Sequence, residues 1–213
     1  MKKIMFNDKY GLTKAVFEGR KTQTRRILNP TMLFQRQNTY EGWEKGDIAD
    51  WEQSCKDRLY TAKGEGLKRM LDYALAHSPY KIGENVAIAQ KYTDLASNEE
   101  FYRLCSIHGM PLECIKHEKG CKNKLFVKAE LMPYHIHIKN VKIERLQDIS
   151  EEDCLKEGIV DFESRINKAH FYSITDESAT YGTAKKPYAL LIDKLLGKGT
   201  WESNPYVFVY DFI

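Results

Sequence analysis

A chain of 213 residues with 33 Lys and Arg against 30 Asp and Glu carries a formal net charge of only +3. That is too little for a polyanion-binding surface spread over the whole protein, so any nucleic-acid contact must come from local clusters. With 42% hydrophobic and 30% charged residues, and only six prolines and thirteen glycines, collagen-like and disordered classes are excluded and one globular domain spanning 1–213 is expected.

In chain order, the first eight residues are positively charged but lack the apolar stretch of a secretory signal, and no window approaches a membrane span. Five cysteines, an odd number in a chain long enough to bury a core, suit reduced thiols, so a cytoplasmic setting with no membrane partner is expected. Leu12, Ala15 and Val16 mark a short amphipathic helix that Gly19 can end in a left-handed cap. Then comes Arg20-Lys21-Thr22-Gln23-Thr24-Arg25-Arg26, with four cations, two hydroxyls and no apolar residue, a pattern that does not fill a core. A solvated basic loop is one reading. The other is a site: extended chain separates Lys21 and Gln23 from Thr22 and Thr24, whereas a tight turn brings Lys21 and Thr24 together. Crowding by Arg20, Arg25 and Arg26 would lower the proton affinity of Lys21 and make it a base near neutral pH.

Further along, helical spacing runs through residues 50–77, with a break expected around Gly64 and Gly66 and an end before Pro79. Val86–Ala89 reads as a strand after Gly83, and Ser97 with Glu100 as a helix start. Leu125, Val127, Ala129 and Leu131 alternate like a strand face. Ile136 and Ile138 are in phase with each other but not with Val141 and Ile143, which calls for a bulge near Lys139-Asn140. His135 and His137 lie on the other face, as a metal pair or as an exposed strand surface. Ser150 through Asp153 resembles a capping box, and Gly158 closes that helix. Pro187 fits the first turn of a helix containing Leu191 and Leu195 and ended by Gly197. Tyr206–Ile213 is apolar on both faces, as a central strand is, with Phe208 and Phe212 in the core. Strands this short fit an α+β fold built on a small mixed barrel better than a doubly wound sheet, and no glycine-rich phosphate loop follows any of them. Residues 28–79, 93–122 and 160–200 read as insertions.

The second insertion holds Cys105, His108, Cys114, His117 and Cys121. These are zinc-ligand types, but the pairs are Cys-x2-His and match no standard finger spacing. A structural zinc stapling the insertion is one reading; a helix-loop segment with partly buried thiols is the other. No other cofactor is expected.

Phe17 through Arg26 resembles the Gly-x-Lys-Thr-x-Thr-x-Arg signature of ASCH domains. Gly83-Glu84-Asn85-Val86 looks like that family's glycine-led second strand, and Arg145–Ile149 through Glu157-Gly158-Ile159 like its strand-to-helix segment. The ending Asn204-Pro205-Tyr206-Val207 resembles the closing strand of large, phage-associated members. The resemblance covers about half of the chain and implies a PUA-like β-barrel with helical insertions, binding RNA or a modified nucleoside. Small members of the family hydrolyse N4-acetylcytidine with a lysine, a threonine and a glutamate. Carried over by motif, these fall on Lys21, Thr24 and Glu157. Glu157 also has interest of its own, because the end of a helix disfavours its charge by about 0.3–1 kcal/mol and so favours a proton-donating role. The alternative for it is a solvated end-of-helix glutamate. Arg20, Thr22, Arg25 and Arg26 would contact the nucleic acid or nucleoside, with Tyr92 stacking on a base and Asn204 bonding a base edge. The rival readings are a noncatalytic RNA-binding module and a phage-type accessory protein acting on a protein partner through its insertions.

Overall fold

The computed structural model describes residues 1–34, 45–110, 115–164, 168–175 and 179–213, and the side chains of all of these except 45–47. The class is α+β. Five strands form one mixed sheet: β1 (Lys3–Ile4), β2 (Gln23–Ile27), β3 (Asn85–Ile88), β4 (His135–Arg145) and, last in the chain, the strand Tyr206–Phe212. The spatial order is β1, β3, β4, Tyr206–Phe212, β2, with β1 and β3 parallel and every other neighbour antiparallel. Between β4 and the last strand lie β5 (Val160–Glu163) and β6 (His170–Ser173), which pair as a separate hairpin. The last strand is therefore β7.

β7 lies between β4 and β2 and is buried at every position except Asp211, which explains its two-faced apolar sequence. β4 pairs with β3 through His135–His137 and with β7 from Ile138 onward, and its register shifts between Ile138 and Asn140. The register shift falls where the bulge is expected. His135 and His137 are exposed, and His137 Nδ1 lies 2.8 Å from Asn85 Oδ1. Among the described residues the sheet does not close into a barrel. Its edge strands β1 and β2 are instead bridged by a side chain, Arg26 Nη2 donating to the carbonyl of Met5 at 2.6 Å.

Seven described helices surround the sheet: α1 (Leu12–Phe17), α2 (Lys45–Thr61), α3 (Gly64–Ala76), α4 (Glu99–Ile107), α5 (Glu151–Lys156), α6 (Lys185–Leu196) and α7 (Thr200–Ser203). α2 and α3 break just before Gly64, and α3 ends ahead of Pro79. α4 is capped one residue later than expected: the side chain of Asn98, not Ser97, accepts from the N–H of Phe101. The strand expected over Leu125–Leu131 is absent. That segment is two 3-10 turns, Lys124–Phe126 and Ala129–Leu131, the first begun by the Asn123 side chain accepting from Leu125 N–H. Val127, Ala129 and Leu131 are buried while Leu125 and Phe126 are exposed, so successive short turns reproduce a strand-like alternation.

Apolar packing divides in two. The larger cluster unites both faces of β7 with β3, β4 and helices α1, α5 and α6. A second cluster gathers Tyr92, Phe101, Cys105, Cys121 and Leu131 around the outer end of β3. No helix among the described residues is long and apolar enough to cross a membrane.

Candidate functional site

The basic stretch is inside the protein. Gly19 takes φ +69° at the end of α1, its N–H bonds Val16 O, and the N–H of Lys21 returns to Ala15 O at 2.9 Å. That reversal, of a kind glycine permits without steric cost, turns the Lys21 side chain inward, where it is 2% exposed. A second turn meets it. Ser150 caps α5 by accepting from Asp153 N–H, and Gly158 leaves the helix at φ +104°. A Cβ on Gly158 would lie 3.3 Å from Leu12 Cδ2 and 3.7 Å from Lys21 Cβ. The absence of a side chain there lets the end of α5 pack directly on α1 and brings Glu157 against Lys21.

The ammonium of Lys21 donates to three oxygens: Gln23 O at 2.8 Å, Glu157 O at 2.7 Å and Glu157 Oε2 at 2.6 Å. Three acceptors match three N–H bonds, so this geometry holds the charged form. Burial nonetheless pushes the pKa of Lys21 below the ordinary lysine value. Glu157 pulls the other way, and Arg26 and Arg25 add to the lowering. Crowding by arginines, the cause expected from sequence, is the lesser effect; desolvation dominates. The Phe6 ring closes one side, its centroid 5.8 Å from Nζ.

Arg25 corrects a sequence expectation. Its side chain is 1% exposed, and its five N–H bonds are all engaged. Nε and Nη2 bond Glu144 Oε1 at 3.1 and 2.7 Å, Nη2 bonds Asp153 Oδ2 at 3.3 Å, and Nη1 bonds Glu157 Oε1 at 3.1 Å and the Gln23 side chain. Burial opposes its charge, but Glu157 and Glu144 outweigh that and raise the guanidinium pKa above its ordinary value. A guanidinium with no free N–H cannot bind a phosphate. Arg25 holds Glu157 in place and ties three carboxylates together.

Lys21, Thr24 and Glu157 line one cavity of about 500 Å³. It opens at the seam between the sheet edges, with residues 5–9 after β1 on one side and 24–27 of β2 on the other. Helix α6 supplies an apolar wall through Leu191, Ile192, Leu195 and Leu196, and places Tyr188 beside Glu157 and Arg25. Sequence reasoning missed Tyr188, because among regularly spaced leucines it reads as core. It also missed Glu144 and Asp153 as partners of Arg25.

The remaining expected residues separate from this group. Arg26 lines the cavity, whereas Arg20 is exposed and paired with Glu18 at 2.7 Å. Thr22 is half-buried, its backbone bonded to Lys156 O and to Phe212 N–H. Tyr92 lies in the second cluster, stacked on Phe101, its hydroxyl accepting from Lys128 N–H at 2.9 Å. Asn204 stands at the turn before β7 with φ +43°, its side-chain oxygen taken by Gln147 N–H at 2.9 Å. Neither of these two lines the cavity.

The zinc reading finds no supporting cluster. Among the described residues no group of three or more His, Cys, Asp or Glu is placed to hold a metal ion. Cys121 Sγ donates to Ile115 O at 2.7 Å, burial pushes the Cys105 thiol pKa up, and His108 and His117 are exposed. Cys114 lies outside the described residues. Cys55, Cys105, Cys121 and Cys154 are all buried.

Comparison with protein-family models, with curated proteins and with solved structures gave no match for this chain.

Proposed function

We propose that this protein is an ASCH-type amidohydrolase that takes a modified nucleoside and removes an N4-acyl group from cytidine. The observation that carries the reading is the meeting of Lys21, Thr24 and Glu157 in one cavity, with Lys21 and Glu157 2.6 Å apart although 136 residues separate them. A volume near 500 Å³ lies within the usual range for small-ligand sites, about 300–1,000 Å³. An open five-stranded sheet whose edge-strand neighbours, residues 5–9 and 24–27, line the cavity is compatible with a PUA-like barrel whose gap has become the ligand site.

The chemistry follows from the buried pair. Passing one proton over 2.6 Å from Lys21 Nζ to Glu157 Oε2 converts two charges into a neutral amine and a carboxylic acid. Burial favours the neutral amine of Lys21, and Arg25 donates to Glu157 Oε1 at 3.1 Å. Lys21, neutral, takes the Thr24 hydroxyl proton as Oγ1 attacks the acyl carbon. The carbon–nitrogen bond breaks, N4 receives the proton held by Glu157, and the ion pair is restored. Water, activated by the same pair, then hydrolyses the threonyl ester and releases the carboxylic acid. Amide plus water becomes amine plus acid, with no other reactant.

A free nucleoside is favoured over an RNA strand, because Arg25 has no donor to spare and Arg20 is paired with Glu18. Incubation with N4-acetylcytidine, followed by chromatography, tests the reading. Release of cytidine and acetate, lost in Lys21→Met and Thr24→Val, is the expected result. A folded wild-type protein that releases neither product, yet binds RNA with steep salt dependence, would replace it with the noncatalytic RNA-binding module.

A further inference from the structure

Among the described residues, two buried side-chain polar atoms lack a hydrogen-bond partner: Gln90 Oε1 and the Tyr188 hydroxyl. Gln90 is not part of the cavity; Tyr188 is, and it is 1% exposed. Leaving a buried hydroxyl unpaired forfeits its hydration with nothing in return, and such groups in folded proteins call for an explanation. The ring itself is well held, edge-on to Trp201 at 6.1 Å and set in α6 after Pro187. Its phenol is thus fixed in place with an unused O–H.

The two buried cations of the cavity, Lys21 and Arg25, have nothing to offer a ligand oxygen, which leaves Tyr188 as the buried donor without a partner. All three N–H bonds of Lys21 and all five of Arg25 are committed to protein acceptors. Amide hydrolysis by Thr24 nevertheless places negative charge on the substrate carbonyl oxygen, and that oxygen requires a donor. We propose that the Tyr188 hydroxyl is this donor: it binds the acyl carbonyl oxygen of the substrate and stabilises the oxyanion formed when Thr24 attacks. No bond to Tyr188 is made or broken, and its proton stays on the phenol throughout. Burial, reinforced by Glu157, pushes its pKa well above the ordinary tyrosine value, so the phenol remains a donor across the working pH range. The assignment also orients the substrate, with the acyl group toward the leucine wall of α6 and the base toward the mouth between residues 5–9 and β2.

This inference rests on the amidohydrolase reading, and the test separates the two. Wild type and Tyr188→Phe are compared for turnover of N4-acetylcytidine and of its thioacetyl analogue, in which a weakly accepting sulfur replaces the carbonyl oxygen. The expected results are a fall in kcat of about 100- to 1,000-fold in Tyr188→Phe with KM little changed, and a urea midpoint no lower than wild type. Wild type should discriminate against sulfur, and Tyr188→Phe should not, a difference that a packing role would not produce. Wild-type kcat in Tyr188→Phe overturns the role of Tyr188 and leaves the amidohydrolase standing. An inactive wild type overturns both. Should Tyr188→Phe fail to fold, equal wild-type rates on the oxygen and sulfur substrates overturn the role of Tyr188, and discrimination against sulfur supports it.

Discussion

Two tyrosines are buried to nearly the same degree, Tyr92 at 2% exposure and Tyr188 at 1%, and they do different things. Tyr92 belongs to the second apolar cluster, where Gly120 leaves just enough room for its ring and Lys128 N–H satisfies its oxygen. Tyr188 belongs to the sheet cluster, at the wall of a cavity, and its oxygen is unsatisfied. The first arrangement is a finished core. The second retains hydrogen-bonding capacity that the protein alone does not use, beside a set of buried charges that the second cluster does not have. A partner count on a buried polar atom thus separates a packing residue from a candidate ligand contact better than its type or exposure does.

The contrast can be broken most forcefully on the charged side. Arg25→Met leaves Glu144, Asp153 and Glu157 without their common partner, and a loss of about 3–5 kcal/mol in urea unfolding is expected. In the apolar cluster, a Cβ added at Gly120 would stand 2.5 Å from the Tyr92 ring. Gly120→Ala should therefore cost about 1–3 kcal/mol by overpacking, with no effect on ligand binding. The two tyrosines sharpen the comparison directly. Tyr92→Phe removes a satisfied hydroxyl and should lose about 0.5–1.5 kcal/mol, whereas Tyr188→Phe should leave the urea midpoint unchanged or raise it. Equal losses at both positions would erase the distinction.

The pH dependence of unfolding adds a weaker test. Burial would raise the Asp153 pKa, but Lys156 and Arg25 hold it below the ordinary aspartate value of 3.8. Its contribution is full above pH 3.8 and fades as the pH falls through the depressed folded value. Lys21 acts in the same sense at higher pH: its lowered pKa means the folded state binds fewer protons than the unfolded one in the window below 10.5. Stability should rise with pH across that window, and Lys21→Met should flatten the rise.

Much of the fold was legible because local chemistry dictates it. Gly19 after an amphipathic helix, Ser150 three residues before Asp153, and the phase change between Ile138 and Val141 each produced the feature expected. The segment Leu125–Leu131 was not, since 3-10 turns that bury alternate positions imitate a strand. Of the site, Lys21, Thr24 and Glu157 were marked by motif and do share a cavity. Arg25 was read from its charge as a phosphate contact. Its fate depends on Glu144 and Asp153, brought to it by β4 and α5 from more than a hundred residues away, and no local pattern carries that. Tyr188 was hidden for the same reason: a missing hydrogen-bond partner is a property of three-dimensional surroundings.

Single-turnover hydrolysis with protein in excess over N4-acetylcytidine tests the central claim most directly, because it isolates the step that Lys21, Thr24 and Glu157 are assigned to perform. The account predicts rapid cytidine release by wild type and none above background by Thr24→Val, with both proteins folded to the same urea midpoint. Equal release by the two proteins, or none by either, would contradict it.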